Sequence, residues 1–203
     1  DYHYGYYDHK MCHGFYPPFV FGNGRKTDIP GNTRETFGVG RYGPFPDGTV
    51  EHDDAGRAVH SQDLYDEKIR QFLRAHRDEP FFLYHPSQLP HGPVYFPDVY
   101  PEVRDNPDLT PVEKEYAAMV LRLDRTVGMI LDELESLGLR ERTLILFTSD
   151  HGDYLGNNWA FYKYGAPYES LARVPFLLSW PGVVPTGRRI DGLVSLIDIA
   201  PTL

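Results

Sequence analysis

An α/β fold, with a partly parallel sheet flanked by helices, follows from three features of the sequence. Helical and strand-like segments alternate from residue 61 onward, the order that lays helices against a sheet. Two short apolar runs, Phe81–Tyr84 and Leu144–Phe147, are continuous rather than alternating, the pattern of strands covered on both faces. Between them lies a long amphipathic helix that carries its own start and stop signals.

Taken in order, residues 1–60 hold ten of the 19 glycines and 11 of the 27 Phe and Tyr residues, with no sustained period of two or 3.6. Disordered segments are poor in aromatics, so this composition predicts an ordered but irregular region. Pro44-Phe45-Pro46-Asp47-Gly48 reads as a turn. A helix is expected from near Asp63, as cap, to about His76, with Leu64, Ile69, Phe72 and Leu73 on its apolar face. Pro80 ends the connection before strand 81–84. Thr110-Pro111-Val112-Glu113 fits a capping box with proline at the first helical position. Tyr116, Val120, Leu123, Val127, Ile130, Leu134 and Leu137 continue at spacings of three and four, and Gly138 supplies the stop. Strand 143–148 follows, then a long aromatic connection, 149–173, of a length that is usually functional. A further strand spans Val174–Trp180. The expected organisation is an aromatic, glycine-rich region over 1–60 and a single α/β core over 61–203.

The 203 residues suffice for one substantial core. The chain starts at Asp1 rather than Met and stops directly after an apolar run, so the sheet is expected to be an incomplete, internal part of a longer domain. A net charge of −9 gives no basic footprint for nucleic acid. One cysteine excludes an internal disulfide framework, and no apolar run approaches the roughly 18 residues of a membrane span.

The chemistry concentrates at Thr148-Ser149-Asp150-His151-Gly152-Asp153, just past the carboxyl end of a strand, where ligands gather in open α/β sheets. Asp150 offers hard oxygens, His151 an imidazole nitrogen, and Gly152 a backbone free to turn. Alone, this run also fits a polar turn. Other segments join it: Pro90-His91-Gly92-Pro93, Lys163, Tyr168-Glu169, Arg173-Val174-Pro175-Phe176, Trp180-Pro181-Gly182 and Leu196-Ile197-Asp198-Ile199-Ala200-Pro201-Thr202. In this order and spacing the set resembles the sulfatase family (arylsulfatase-like members of the alkaline-phosphatase superfamily), strongly from about Ser61 to Leu203. Gly5-Tyr6-Tyr7 and His13-Gly14-Phe15-Tyr16-Pro17 resemble a region of arylsulfatase-like members more weakly.

The resemblance implies an alkaline-phosphatase-like fold and hydrolysis of a sulfate ester of a sugar or aryl alcohol. It implies metal ligation by Asp150 and His151, a histidine at the sulfate or leaving-group oxygen (His91), and a sulfate-clamping lysine (Lys163). The implied cation is Ca2+; many members carry Asn where this chain has His151, and a nitrogen ligand leaves Mn2+ or Zn2+ open. His91 suits its role because imidazole can donate a proton near neutral pH. His85 is a weaker candidate, and Tyr162 and Tyr164 flank Lys163. Asp153 reads as a solvated acid at a turn, and Arg173 as a partner of Glu169.

Family members make their nucleophile, formylglycine, in a Cys/Ser-x-Pro/Ala-x-Arg motif. Cys12 lies in Met11-Cys12-His13-Gly14-Phe15-Tyr16 and does not fit it, so the nucleophile is expected upstream and the fragment alone inactive. Two other readings stay open. One is phosphodiester or phosphonate monoester hydrolysis on the same fold; the other is a non-catalytic remnant that binds sulfated glycans. A periplasmic or secreted location follows from the resemblance alone.

Overall fold

The computed structural model describes residues 1–8, 11–33, 56–92, 94–159, 163 and 165–203. The turn expected at Pro44–Gly48 and the flanking residues Tyr162 and Tyr164 lie outside them. Two compact units divide the chain, Asp1–Leu137 and Gly138–Leu203.

The first unit opens with a small antiparallel sheet of β1 (Tyr4–Gly5), β2 (Phe19–Gly22) and β3 (Arg25–Asp28). Asn23 and Gly24, both at positive φ (48° and 81°), close β2 onto β3 in a two-residue turn. Its twist matches that of the strands, which is why Asn-Gly is favoured there. This hairpin is a regular element that periodicity alone does not announce.

Helix α1 spans Ser61–Ala75 and starts two residues before the expected Asp63. Its cap is His60, whose Nδ1 accepts from the Gln62 backbone N–H at 3.0 Å. The His60 ring is buried, stacked on Phe15 with centroids 5.4 Å apart. Burial pushes its pKa down to about 4, so the ring stays neutral and keeps the lone pair that caps the helix. Asp63 instead receives Arg122 at 2.6 Å.

Residues 81–84 form no strand, a correction to the sequence expectation. Among the described residues no strand runs beside them, and a ladder needs a partner for its hydrogen bonds. Phe82 and Tyr84 are exposed while Phe81 and Leu83 are half-buried.

A short helix α2 (Pro101–Arg104) precedes α3, Pro111–Ser136. The α3 capping box is complete: Thr110 Oγ1 accepts from the Glu113 N–H at 3.4 Å, and Glu113 Oε2 accepts from the Thr110 N–H at 2.8 Å. Gly138, at φ 67°, follows the helix end as expected. Of the expected apolar stripe only Leu134 is among the most deeply buried positions, however. They are Glu115, Ala118, Met119, Thr126, Glu133 and Leu134, while Val120 is exposed.

Three of those are polar because α1 and the 94–96 segment supply partners. Glu115 Oε2 accepts from the Phe96 N–H at 2.8 Å, Thr126 Oγ1 donates to Asp66 at 3.0 Å, and Arg74 donates to Glu133 at 2.6 Å. A buried polar group persists when it is hydrogen-bonded, so pairing overrides the apolar pattern here. The apolar core sits beside it: Phe15, Leu89, Tyr95, Phe96, Ala118 and Met119.

In the second unit β4 (Ile145–Thr148) pairs with β5 (Phe176–Ser179), in the register Ile145↔Ser179 to Thr148↔Phe176. The pair is antiparallel, in a sheet expected from the sequence to be only partly parallel. Among the described residues the connection between the two strands holds no helix long enough for a crossover, only a 3-10 turn at Asn157–Trp159 and the single turn α4 (Glu169–Ala172). A last turn, α5, covers Ile199–Thr202.

Candidate active site

Each unit carries part of the expected site. In the second unit, β4 delivers Ser149 and Asp150 at its carboxyl end. Ser149 Oγ donates to the His151 carbonyl oxygen at 2.8 Å and so shapes the turn. Gly152 is required there. Its N–H donates to the Leu171 carbonyl at 2.8 Å, and a Cβ at this position would stand far inside contact with the Ser170 carbonyl oxygen. The chain after β4 is therefore pressed against the start of the β5 approach.

That turn aims the His151 ring. Nδ1 lies 2.7 Å from the Gly152 carbonyl oxygen, which can only accept, so Nδ1 carries the hydrogen and Nε2 presents a lone pair. Around Nε2 stand Asp150 Oδ2 at 3.4 Å and Lys163 Nζ at 3.2 Å. Asp150, His151 and Lys163 are thus brought together, with Asp150 largely exposed and His151 half-buried. A backbone carbonyl on the far ring nitrogen is the usual way a ligating histidine is oriented. A carboxylate oxygen and an imidazole nitrogen this close fit two neighbouring positions around one divalent cation. They make a partial set, since among the described residues no three His, Cys, Asp or Glu side chains gather around one point.

The loop carrying Lys163 has an anchor that sequence reading missed. Tyr154 is 1% exposed, donates its hydroxyl to the Ala166 carbonyl, and packs its ring edge against Tyr168 at 6.1 Å. Its signal was weak, since one tyrosine among many in an aromatic loop does not stand out. Asp153 accepts from the Leu155 N–H at 2.9 Å and is spent on the turn. Arg173 donates to Glu169 at 3.0 Å, as its spacing suggested.

In the first unit, His91 is exposed on the loop after Leu89-Pro90, whose peptide bond is cis. Its backbone N–H donates to the Gln88 carbonyl at 2.8 Å, and its Nδ1 is held by the Gly92 carbonyl. The His13 ring stands 5.1 Å away, tilted by 63°. His85 belongs to a different environment. Burial lowers its pKa, and Gln62 Nε2 lies 3.2 Å from its Nε2 in the polar network of Gln62 and Asp66. Burial likewise raises the pKa of Cys12, which keeps the thiol protonated and a poor nucleophile.

A sheet-end carboxylate and imidazole thus stand with an ammonium beside them on an α/β scaffold. The sulfatase family profile matches residues 2–203, and the chain belongs to that family. It is 30% identical over 157 residues to N-acetylgalactosamine-6-O-sulfatase of Bacteroides thetaiotaomicron, covering 70% of this chain and 29% of the relative. It is 32% identical over 146 residues to steryl-sulfatase of Rattus norvegicus, covering 65% and 24%. The crystal structure of Ps i-CgsB in complex with k-i-k-neocarrahexaose superposes with a TM-score of 0.65 at 26% identity, covering 91% of this chain and 36% of that one. The fold is therefore the α/β, alkaline-phosphatase-like fold of sulfatases, and the chain spans about a third or less of the relatives it matches.

Proposed function

We propose that the full-length protein carrying this chain hydrolyses sulfate esters, with a sulfated saccharide as substrate. The observation that supports it most is the placement of the Asp150 carboxylate and Lys163 Nζ within 3.4 Å of His151 Nε2 at the end of β4. Family membership and relatives named as sulfatases favour sulfate over phosphate esters. The choice of a saccharide is supported by one relative named N-acetylgalactosamine-6-O-sulfatase and by the similar structure crystallised with k-i-k-neocarrahexaose.

Asp150 and His151 would hold a divalent cation, Ca2+ by family precedent, with Mn2+ or Zn2+ as alternatives suggested by the nitrogen donor. When bound, the cation supplies positive charge for the nonbridging sulfate oxygens. Lys163 provides a compact ammonium for the same tetrahedral anion. His91 donates its Nε2 proton to the leaving oxygen as the S–O bond breaks, while its Nδ1–H stays on the Gly92 carbonyl. No Cys/Ser-x-Pro/Ala-x-Arg motif occurs in the 203 residues, so these residues account for anion binding and protonation rather than for nucleophilic attack.

Purified full-length protein should release sulfate from sulfated oligosaccharides. Chelation should abolish release and added divalent cation restore it, with little phosphate released from the matched phosphate ester. Phosphate release without sulfate release would move the protein to the phosphodiesterase reading, and saccharide binding without any product would make it a glycan-binding remnant. A periplasmic or secreted location goes with this reading. No helix among the described residues is long and apolar enough to cross a membrane.

A further inference from the structure

His13 comes from the turn Met11–His13, far from His91 in sequence, yet the two rings meet edge to face at 5.1 Å. Their meeting is built by one side chain. Gln88 Oε1 accepts from Ser61 Oγ at 2.8 Å, and Gln88 Nε2 donates to the Cys12 carbonyl and, at 3.4 Å, to the Gly14 carbonyl. Gln88 also accepts the His91 N–H on its own carbonyl at 2.8 Å. Its amide therefore holds the two residues either side of His13, and its backbone holds His91. Ser61 strengthens the frame, because its N–H donates to the Phe15 carbonyl at 2.6 Å. The start of α1, the 11–15 segment and the His91 loop form one braced unit.

The pair faces outward rather than filling the core. His91 is exposed and His13 half-buried, where a ligand can reach them. The hydrogen bond of His91 Nδ1 to the Gly92 carbonyl restrains rotation of the ring about Cβ–Cγ. A second ring packed at 63° against the first restricts that rotation, as edge-to-face aromatic contacts do.

We propose that His13 is a positioning residue for leaving-group protonation: it holds the His91 ring so that Nε2 points at the leaving oxygen. This rests on the role of His91 given above. Proton transfer matters most when the leaving alcohol is a poor one. A sugar hydroxyl needs the proton as the S–O bond breaks, whereas 4-nitrophenolate departs with little help.

The test uses the full-length protein with two substrates, a sulfated oligosaccharide and 4-nitrophenyl sulfate. His13→Ala should lower kcat/KM on the oligosaccharide about tenfold or more, chiefly through kcat, and change it less than about threefold on the aryl sulfate. His91→Ala should show the same selectivity with a larger loss. His13→Phe keeps a ring against His91, so it should recover most of the oligosaccharide rate if orientation is the role.

Equal losses on both substrates would make His13 merely structural and overturn the proposal. So would unchanged oligosaccharide kinetics in His13→Ala while His91→Ala keeps its selective defect; in that case the functional reading stands and only this inference falls. If the unmodified protein releases no sulfate from either ester, the functional reading falls and this inference with it.

Discussion

Replacing Gly152 by alanine tests whether the close approach after β4 builds the candidate site. The added Cβ would collide with the Ser170 carbonyl oxygen and also stand 3.1 Å from the Ser170 carbonyl carbon and 3.3 Å from Leu171 Cα. All three atoms are backbone, so no flexible side chain can swing aside. The 170–171 segment must move by more than packing normally absorbs, and the Gly152 N–H to Leu171 carbonyl bond, 2.8 Å long, is lost or stretched. Overpacking costs about 1–3 kcal/mol and the hydrogen bond about 1 kcal/mol. Together Gly152→Ala should destabilise by about 2–4 kcal/mol.

Because Gly152 also holds Nδ1 of the adjacent His151, the site should suffer beyond the stability loss. Urea unfolding of the full-length protein gives the first quantity. Sulfate release in the native baseline at low urea gives the second, and should fall at least tenfold. A variant within about 0.5 kcal/mol of wild type, with normal kinetics, would refute the idea that this contact shapes the turn.

Three other outcomes follow from the same structure. Lys163→Ala should lower kcat/KM for sulfate-ester hydrolysis by about tenfold or more, on the order of 1.4 kcal/mol, and unchanged kinetics would remove Lys163 from the site. His60 should make stability pH-dependent. Its folded pKa of about 4 lies below the ordinary 6.5, so between those values the unfolded chain takes up a proton that the folded chain refuses. Its contribution is complete above pH 6.5 and is lost as pH falls to 4, by roughly 3 kcal/mol; His60→Asn, which retains a capping side chain, should flatten that slope in urea titrations. Gly128→Ala, inside α3 where an added Cβ meets nothing within 4 Å, should stabilise by up to about 1 kcal/mol, and a lower urea midpoint would contradict the open space there.

Local signals were legible wherever the interaction joins residues close in sequence. The Thr110–Glu113 capping box, the Gly138 stop, the Arg173–Glu169 pair and the strand leading into Asp150 and His151 all depend on neighbours within about one helical turn or one strand end. Asn23-Gly24 belongs to that class too; its hairpin could have been anticipated from the dipeptide but not from periodicity.

Long-range pairing decided the rest. Whether 81–84 is a strand depends on a neighbour to receive its hydrogen bonds, and the direction of β5 against β4 depends on how the loop between them returns. Half of the fully buried positions of α3 are polar because Asp66, Arg74 and the Phe96 N–H come to meet them, which no pattern within α3 could reveal. Residue types at a strand end could name Asp150 and His151 as chemistry-bearing, and the family resemblance could add His91 and Lys163. Only the folded backbone turned His151 Nε2 toward Asp150 and Lys163 and set His13 against His91, because a side chain's direction is fixed by carbonyls and rings contributed from elsewhere in the chain.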